Sequence, residues 1–253
     1  PSDAAGAAGQ RFFVRASGRP LTEGINGLYT VNGFYRALLP ALGDAIRAGA
    51  AESWVLGPQA ATQSEEDLPR LEEQVLTVYA NEYAQVWQQM LDDLNLPGFN
   101  SLQTAAEGLN ILGSPNSPLR DMLRSIAREL SVGTPPEGVT PPAPTGAAAR
   151  AAAAQGGPPE PKVSDPVARV VEARYERLRE AAGQPLENVL GIINDLFARV
   201  QTLAAVPPGT VPPPSLGLDP GQRLTAESSR QPQPLGRWLA GLATQTAAQR
   251  TGG

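Results

Sequence analysis

Paired carboxylates are the one catalytic grouping that the composition of this 253-residue chain permits, and there are three candidates: Glu65-Glu66-Asp67, Glu72-Glu73 and Asp92-Asp93. Two carboxyls can hydrolyse a glycosidic bond when one keeps its proton in an apolar pocket and the other faces it across a cleft. Here the members of each pair are neighbours in sequence, on polar helix faces or in a loop. A solvated surface is therefore their expected role, and no catalytic residue is assigned. Hydrolysis of the cell wall (peptidoglycan) by paired carboxylates stands as the alternative function.

Composition removes most other chemistry. The chain has no His and no Cys, so disulfides, Cys or His metal sites and nucleophiles activated by an imidazole are ruled out. Lysine occurs once, at Lys162 in PPEPKVSD, far from any GxxxxGK[ST] phosphate cradle. No cofactor-binding or metal residue is predicted. The formal charge of −5 disfavours nucleic acid, whose phosphates call for clustered Lys and Arg. No run of about 18 apolar residues is present, so no membrane insertion by this piece is expected. It starts with Pro1 and carries no signal-peptide pattern, which suggests an internal or processed piece of a longer chain.

The elements that would hold any site are helical. Thr30 is placed to cap a short helix running to about Leu39, and Pro40 to open a second one with Leu42, Ile46, Ala50, Trp54 and Val55 in phase; a single kinked helix is the alternative. The longest helix spans DLPRLEEQVLTVYANEYAQVWQQMLDDLNL, with Leu71, Val75, Leu76, Tyr79, Tyr83, Val86, Trp87, Met90, Leu91 and Leu94 forming one broad stripe. Ser101 and Ser117-Pro118 open two shorter helices. Asp165-Pro166 and Pro185 open two more, the second with Leu186, Val189, Leu190, Ile193, Phe197, Val200 and Leu203 inward, and a last one is carried by QPLGRWLAGLATQTA. Phe12–Arg15 reads as a short strand or an extended anchor.

Residues 132–162 are dominated by Pro, Gly, Ala and Thr and have almost no large apolar side chain, so they are expected to be a disordered insert. The predicted fold is all-α, an antiparallel multi-helix bundle of about seven helices with a long disordered Pro/Ala/Gly-rich insert. Residues 1–10 form a flexible leader, 11–245 a single helical domain interrupted at 132–162, and 246–253 a flexible tail. The rings in the first helices, Tyr29, Phe34, Tyr35 and Trp54, are expected to be core, pinning those helices onto the long one.

Several stretches in order, GINGLYTVNGFYRALLPAL, ESWVLG, VLTVYANEYAQVWQQMLDDL, NSPLRDMLRSIARE, PLENVLGIINDLFARV and PLGRWLAGLA, resemble the periplasmic helical region of the TssM/IcmF family. That family supplies the inner-membrane core protein of the bacterial type VI secretion system. The resemblance covers roughly residues 11–131 and 163–245. It implies a structural scaffold in the membrane complex: the periplasmic portion of an inner-membrane protein, contacting other copies of itself, a TssJ-like outer-membrane lipoprotein and a TssL-like inner-membrane protein. It also implies a β-sandwich following this region in the family.

Overall fold

The computed structural model describes residues 12–55, 58–139, 166–206 and 217–251. The leader at 1–10, most of the 132–162 insert and the side chains of residues 50–66, Trp54, Glu65 and Glu66 among them, lie outside the described residues. In chain order the elements are β1 (Val14–Arg15), a 3₁₀ turn (Gly27–Tyr29), α1 (Val31–Gly33), a π turn (Phe34–Leu38), α2 (Leu39–Val55), α3 (Pro58–Asp93) and β2 (Leu94–Asn95). Then follow α4 (Leu102–Gly113), α5 (Pro118–Glu129), α6 (Pro166–Arg174), α7 (Glu176–Ala181), α8 (Gln184–Ala204), α9 (Pro220–Ser228) and α10 (Leu235–Thr251). The fold is helical, as the periodicity predicts. The described chain divides into two compact units, residues 1–24 with 89–127 and 177–253, and residues 25–88 with 128–176.

Residues 25–88 and 128–176 begin with a set of caps. The Asn26 side chain accepts the Leu28 N–H at 3.0 Å, and Thr30 Oγ1 accepts the Gly33 N–H at 3.0 Å, the cap expected from sequence. The separate helix expected to open at Pro40 is not what forms. α1, the π turn and α2 run on continuously from Val31 to Val55. Pro40 has no N–H for the Arg36 carbonyl, and the chain widens one turn ahead of it, with Leu39 N–H bonding Phe34 O. α3 begins at Pro58 and holds 36 residues, roughly 54 Å at 1.5 Å each. Its first turns, QAATQSEE, favour helix but carry no apolar period, so the hydrophobic pattern starts the helix too late.

In the other unit, β1 and β2 form an antiparallel pair with Val14 opposite Asn95 and Arg15 opposite Leu94. Of the two readings of Phe12–Arg15, the short strand is the one that forms, and at two residues each the strands act as a clasp. Ser101 and Thr104 make a reciprocal capping box at the start of α4, and Ser117 Oγ accepts the Arg120 N–H at 3.3 Å at the start of α5. α8 packs on α4, and α9 on both α8 and α10. Leu109, Leu112, Leu119, Leu186, Val189 and Ile193 are fully buried. Leu196 takes the buried place expected of Phe197, which is only half-covered. Arg120 grips Glu187 with two nitrogens, at 3.0 and 2.7 Å.

α9 was not predicted. Its signal is the Asp-Pro pair also read at 165–166: Asp219 Oδ1 accepts the Gly221 N–H at 2.8 Å and Pro220 occupies the first turn. α10 continues to Thr251, past Ala247, where the predicted helix stops. Gln245 accepts the Phe99 N–H at 3.2 Å and Gln249 donates to Phe99 O at 3.0 Å, contacts that a hydrophobic pattern does not register.

The C-terminal end of α3 is closed from α10. Arg237 Nη2 donates to the carbonyls of Leu91, Asp92 and Leu94 at 2.9–3.0 Å, and the Trp238 indole donates to Leu94 O at 2.8 Å. Helix-end carbonyls lack internal partners, and a cation there also complements the helix dipole. Beside them, Asp93 accepts from Arg15 Nε at 2.6 Å and from the Ser17 amide and hydroxyl at 2.6 and 2.7 Å. Partial desolvation pushes this carboxyl upward, but the Ser17 and Arg15 bonds outweigh it and bring its pKa from 3.8 to about 2. A depressed carboxyl stabilises the fold fully above its unfolded pKa and loses that contribution as pH falls through the folded value. Urea unfolding of the wild type is therefore expected to weaken between pH 4 and 2 more steeply than that of Asp93→Asn, and parallel pH dependences would refute the clasp.

Candidate interaction surface

The family-like GLYT stretch is held by one face of α3. Tyr79 Oη donates to Leu28 O at 2.6 Å and the Trp87 indole to Tyr29 O at 3.0 Å, so two ring donors grip adjacent carbonyls of the 3₁₀ turn. Tyr29 lies over Tyr79 with ring centroids 5.7 Å apart, and Phe34 over the same ring at 5.6 Å. Tyr83 Oη donates to Glu129 O at 2.5 Å, while the Glu129 carboxylate accepts the Val31 N–H at 2.8 Å. Glu129 thus ties the end of α5 to the start of α1. Tyr35 Oη reaches Val132 O at 2.9 Å and Tyr175 Oη reaches Ala84 O at 2.7 Å. Phe34, Tyr35, Tyr79, Tyr83 and Trp87 are buried, so these rings are core, with their polar tips on backbone. Burial pushes the Tyr83 phenol well above its ordinary range.

The carboxylates weighed for catalysis have other surroundings. Asp93 is bound in the clasp, Glu73 and Asp67 are exposed, and Glu72 is half-covered with its pKa raised by desolvation. Asp92 is exposed on the last turn of α3. Among the described residues no group of three or more acidic side chains is placed to hold a metal ion, and no helix is long and apolar enough to cross a membrane.

One part of the long stripe is not core. Leu71, Val75 and Val78 are 54%, 37% and 59% exposed, where the sequence pattern turns Leu71 and Val75 inward. The sequence stripe is too wide for one face. Leu76, Tyr79, Ala80, Tyr83 and Trp87 point to the buried side, and the 71–75–78 row lies on the flank next to it. Leu28, 36% exposed, belongs to the turn whose next residue, Tyr29, donates to Glu82 at 2.8 Å at the end of this row. Exposed rows of large apolar side chains are a hallmark of contact surfaces, not of solvated helices.

The described chain is thus a mostly helical body with ring tips fastened to backbone and an exposed apolar row on α3. Residues 1–131 match the family described as IcmF-related, intracellular multiplication and human macrophage-killing, and the chain belongs to this family. It is similar to the type VI secretion system component TssM1 of Pseudomonas aeruginosa PAO1, at 35% identity over 128 residues. That match covers 51% of this chain and 11% of the relative, so the chain spans about a tenth of that protein's length. No solved structure matches.

Proposed function

We propose that this chain is an assembly element of a type VI secretion membrane complex, the periplasmic part of an inner-membrane protein that docks further copies of itself and TssJ-like and TssL-like subunits. The carrying observation is the exposed apolar row of α3 on the flank beside its buried face. Family membership and the likeness to a secretion component support the reading. Affinity purification of the chain with the TssJ and TssL homologues of its own source tests it. Retention of either subunit at physiological salt is expected; retention of neither, with the fold intact by circular dichroism, overturns the reading.

We also take the helical region to be a single domain that survives a break in its insert. Within each unit, packing joins residues before the insert to residues after it, as Tyr175 to Ala84 and Asn194 to Gly113 do. Limited proteolysis is expected to cut first between residues 132 and 162 and to leave both pieces co-eluting on gel filtration. Separation of the pieces without denaturant refutes this.

A further inference from the structure

The uncovered row has a spacing and a charge that specify what covers it. Leu68, Leu71, Val75 and Val78 follow one another at intervals of three, four and three, the a/d seam along which helices pack side by side. Over roughly 15 Å of helix this makes about one and a half heptads, with four seam positions. Leu68 is half-covered and the other three are exposed.

The borders of the seam are acidic. Asp67 flanks its exposed side, Glu72 flanks the side toward the core, and Glu82, held by Tyr29, occupies the next seam position. Glu72 is partly desolvated, with its pKa raised by burial, and no cation is bonded to it among the described residues. The sole cation in the sequence of α3 is Arg70, which helical geometry places about a third of a turn away from the row. A second copy presenting the same row would set Asp67 and Glu72 against their own kind, and an anionic bilayer would meet the same repulsion.

We infer that the Leu68–Val78 seam of α3 receives an amphipathic helix of another protein, one with apolar residues at a/d spacing flanked by Lys or Arg. Seam contacts supply the affinity, and the basic flanks pair with Asp67 and Glu72 and reject acidic helices. This inference rests on the assembly reading above and names the chemistry of one partner.

The test uses two labelled 21-residue peptides with Leu at a and d, one with Lys and the other with Glu at e and g, titrated into the whole chain by fluorescence anisotropy. The Lys peptide is expected to bind at least about tenfold more tightly. Leu71→Gln with Val78→Gln keeps the charge, alters exposed positions only and is expected to weaken Lys-peptide binding about tenfold or more with its melting temperature unchanged. Asp67→Asn with Glu72→Gln is expected to bring the two peptides to similar affinity.

Equal binding of both peptides by the wild type, or Lys-peptide binding indifferent to the Gln pair, overturns the inference. So does a wild-type dimer in sedimentation that the Gln pair dissolves, which would assign the row to a second copy. Binding of the wild type to phosphatidylglycerol vesicles that the Gln pair abolishes would assign it to lipid and also overturns it. If the peptides fail while TssJ or TssL is retained, only this inference falls; if the peptides bind as expected and neither subunit is retained, only the assembly reading falls.

Discussion

Gly33→Ala is expected to unfold the aromatic unit at ordinary temperature or to leave it destabilised by about 3 kcal/mol or more. A Cβ on Gly33 would stand 2.0 Å from Gly27 O, 2.7 Å from Leu28 O and 2.8 Å from Leu28 Cα. All three atoms are backbone, so no side chain can swing aside, and relief requires the 3₁₀ turn to move. That turn carries the two carbonyls held by Tyr79 and Trp87, so the displacement breaks both bonds together. Gly43→Ala is the matched control: a Cβ there meets nothing within 4 Å, inside a helix, and alanine in a helix interior gains roughly 0.5–1 kcal/mol over glycine. Thermal melts of both variants, with tyrosine and tryptophan fluorescence, check this. Equal small effects would show that α1 does not sit hard against the turn.

Trp238→Ala is expected to cost about 3–5 kcal/mol, the usual range for emptying a buried indole. Trp238 is 2% exposed, packs edge-on to Phe13 with centroids 5.3 Å apart, and donates to Leu94 O. Its loss frees the leading strand as well as the last helix. Trp238→Phe separates the two contributions: the ring keeps most of the packing and only the N–H is lost, about 1 kcal/mol. Leu94 O keeps its Arg237 partner, so the carbonyl is not orphaned. Chemical denaturation, with hydrogen exchange at β1, measures both. Comparable losses for Ala and Phe would place the energy in the hydrogen bond and not in packing.

How much of this was legible depended on the kind of signal. Side chains whose apolar period matches a helix, such as Leu119, Met122, Leu123 and Ile126 in α5, announced their burial directly. Caps did likewise, since Thr30, Ser101 and Ser117 carry their acceptor one residue before the helix. The aromatic core was legible in kind, but where each ring tip ends was not. Tyr83 finding Glu129 O, 46 residues away, is a property of the fold. The π turn escaped because a proline shows that a bond is lost and not how the turn redistributes the rest.

The candidate interaction surface was the least legible part. A stripe of apolar residues fixes a helix's angular spread but not how much of it neighbours cover, and Leu71 and Val75 differ from Leu76 only in tertiary surroundings. Read again with the exposures known, the three-four-three interval is visible in the bare letters. The acids gave the opposite result: as sequence neighbours they were expected to be solvated, yet Asp93 is bound in a clasp.

The ring tips that end on carbonyls have one more effect. Tyr35, Tyr79, Tyr83, Tyr175 and Trp87 fasten the aromatic unit with uncharged donors, and the chain has no histidine. Each is a neutral hydrogen bond to a carbonyl, so counter-ions do not loosen these fastenings as they do ion pairs. Raising the salt is therefore expected to leave the packing of these rings in place.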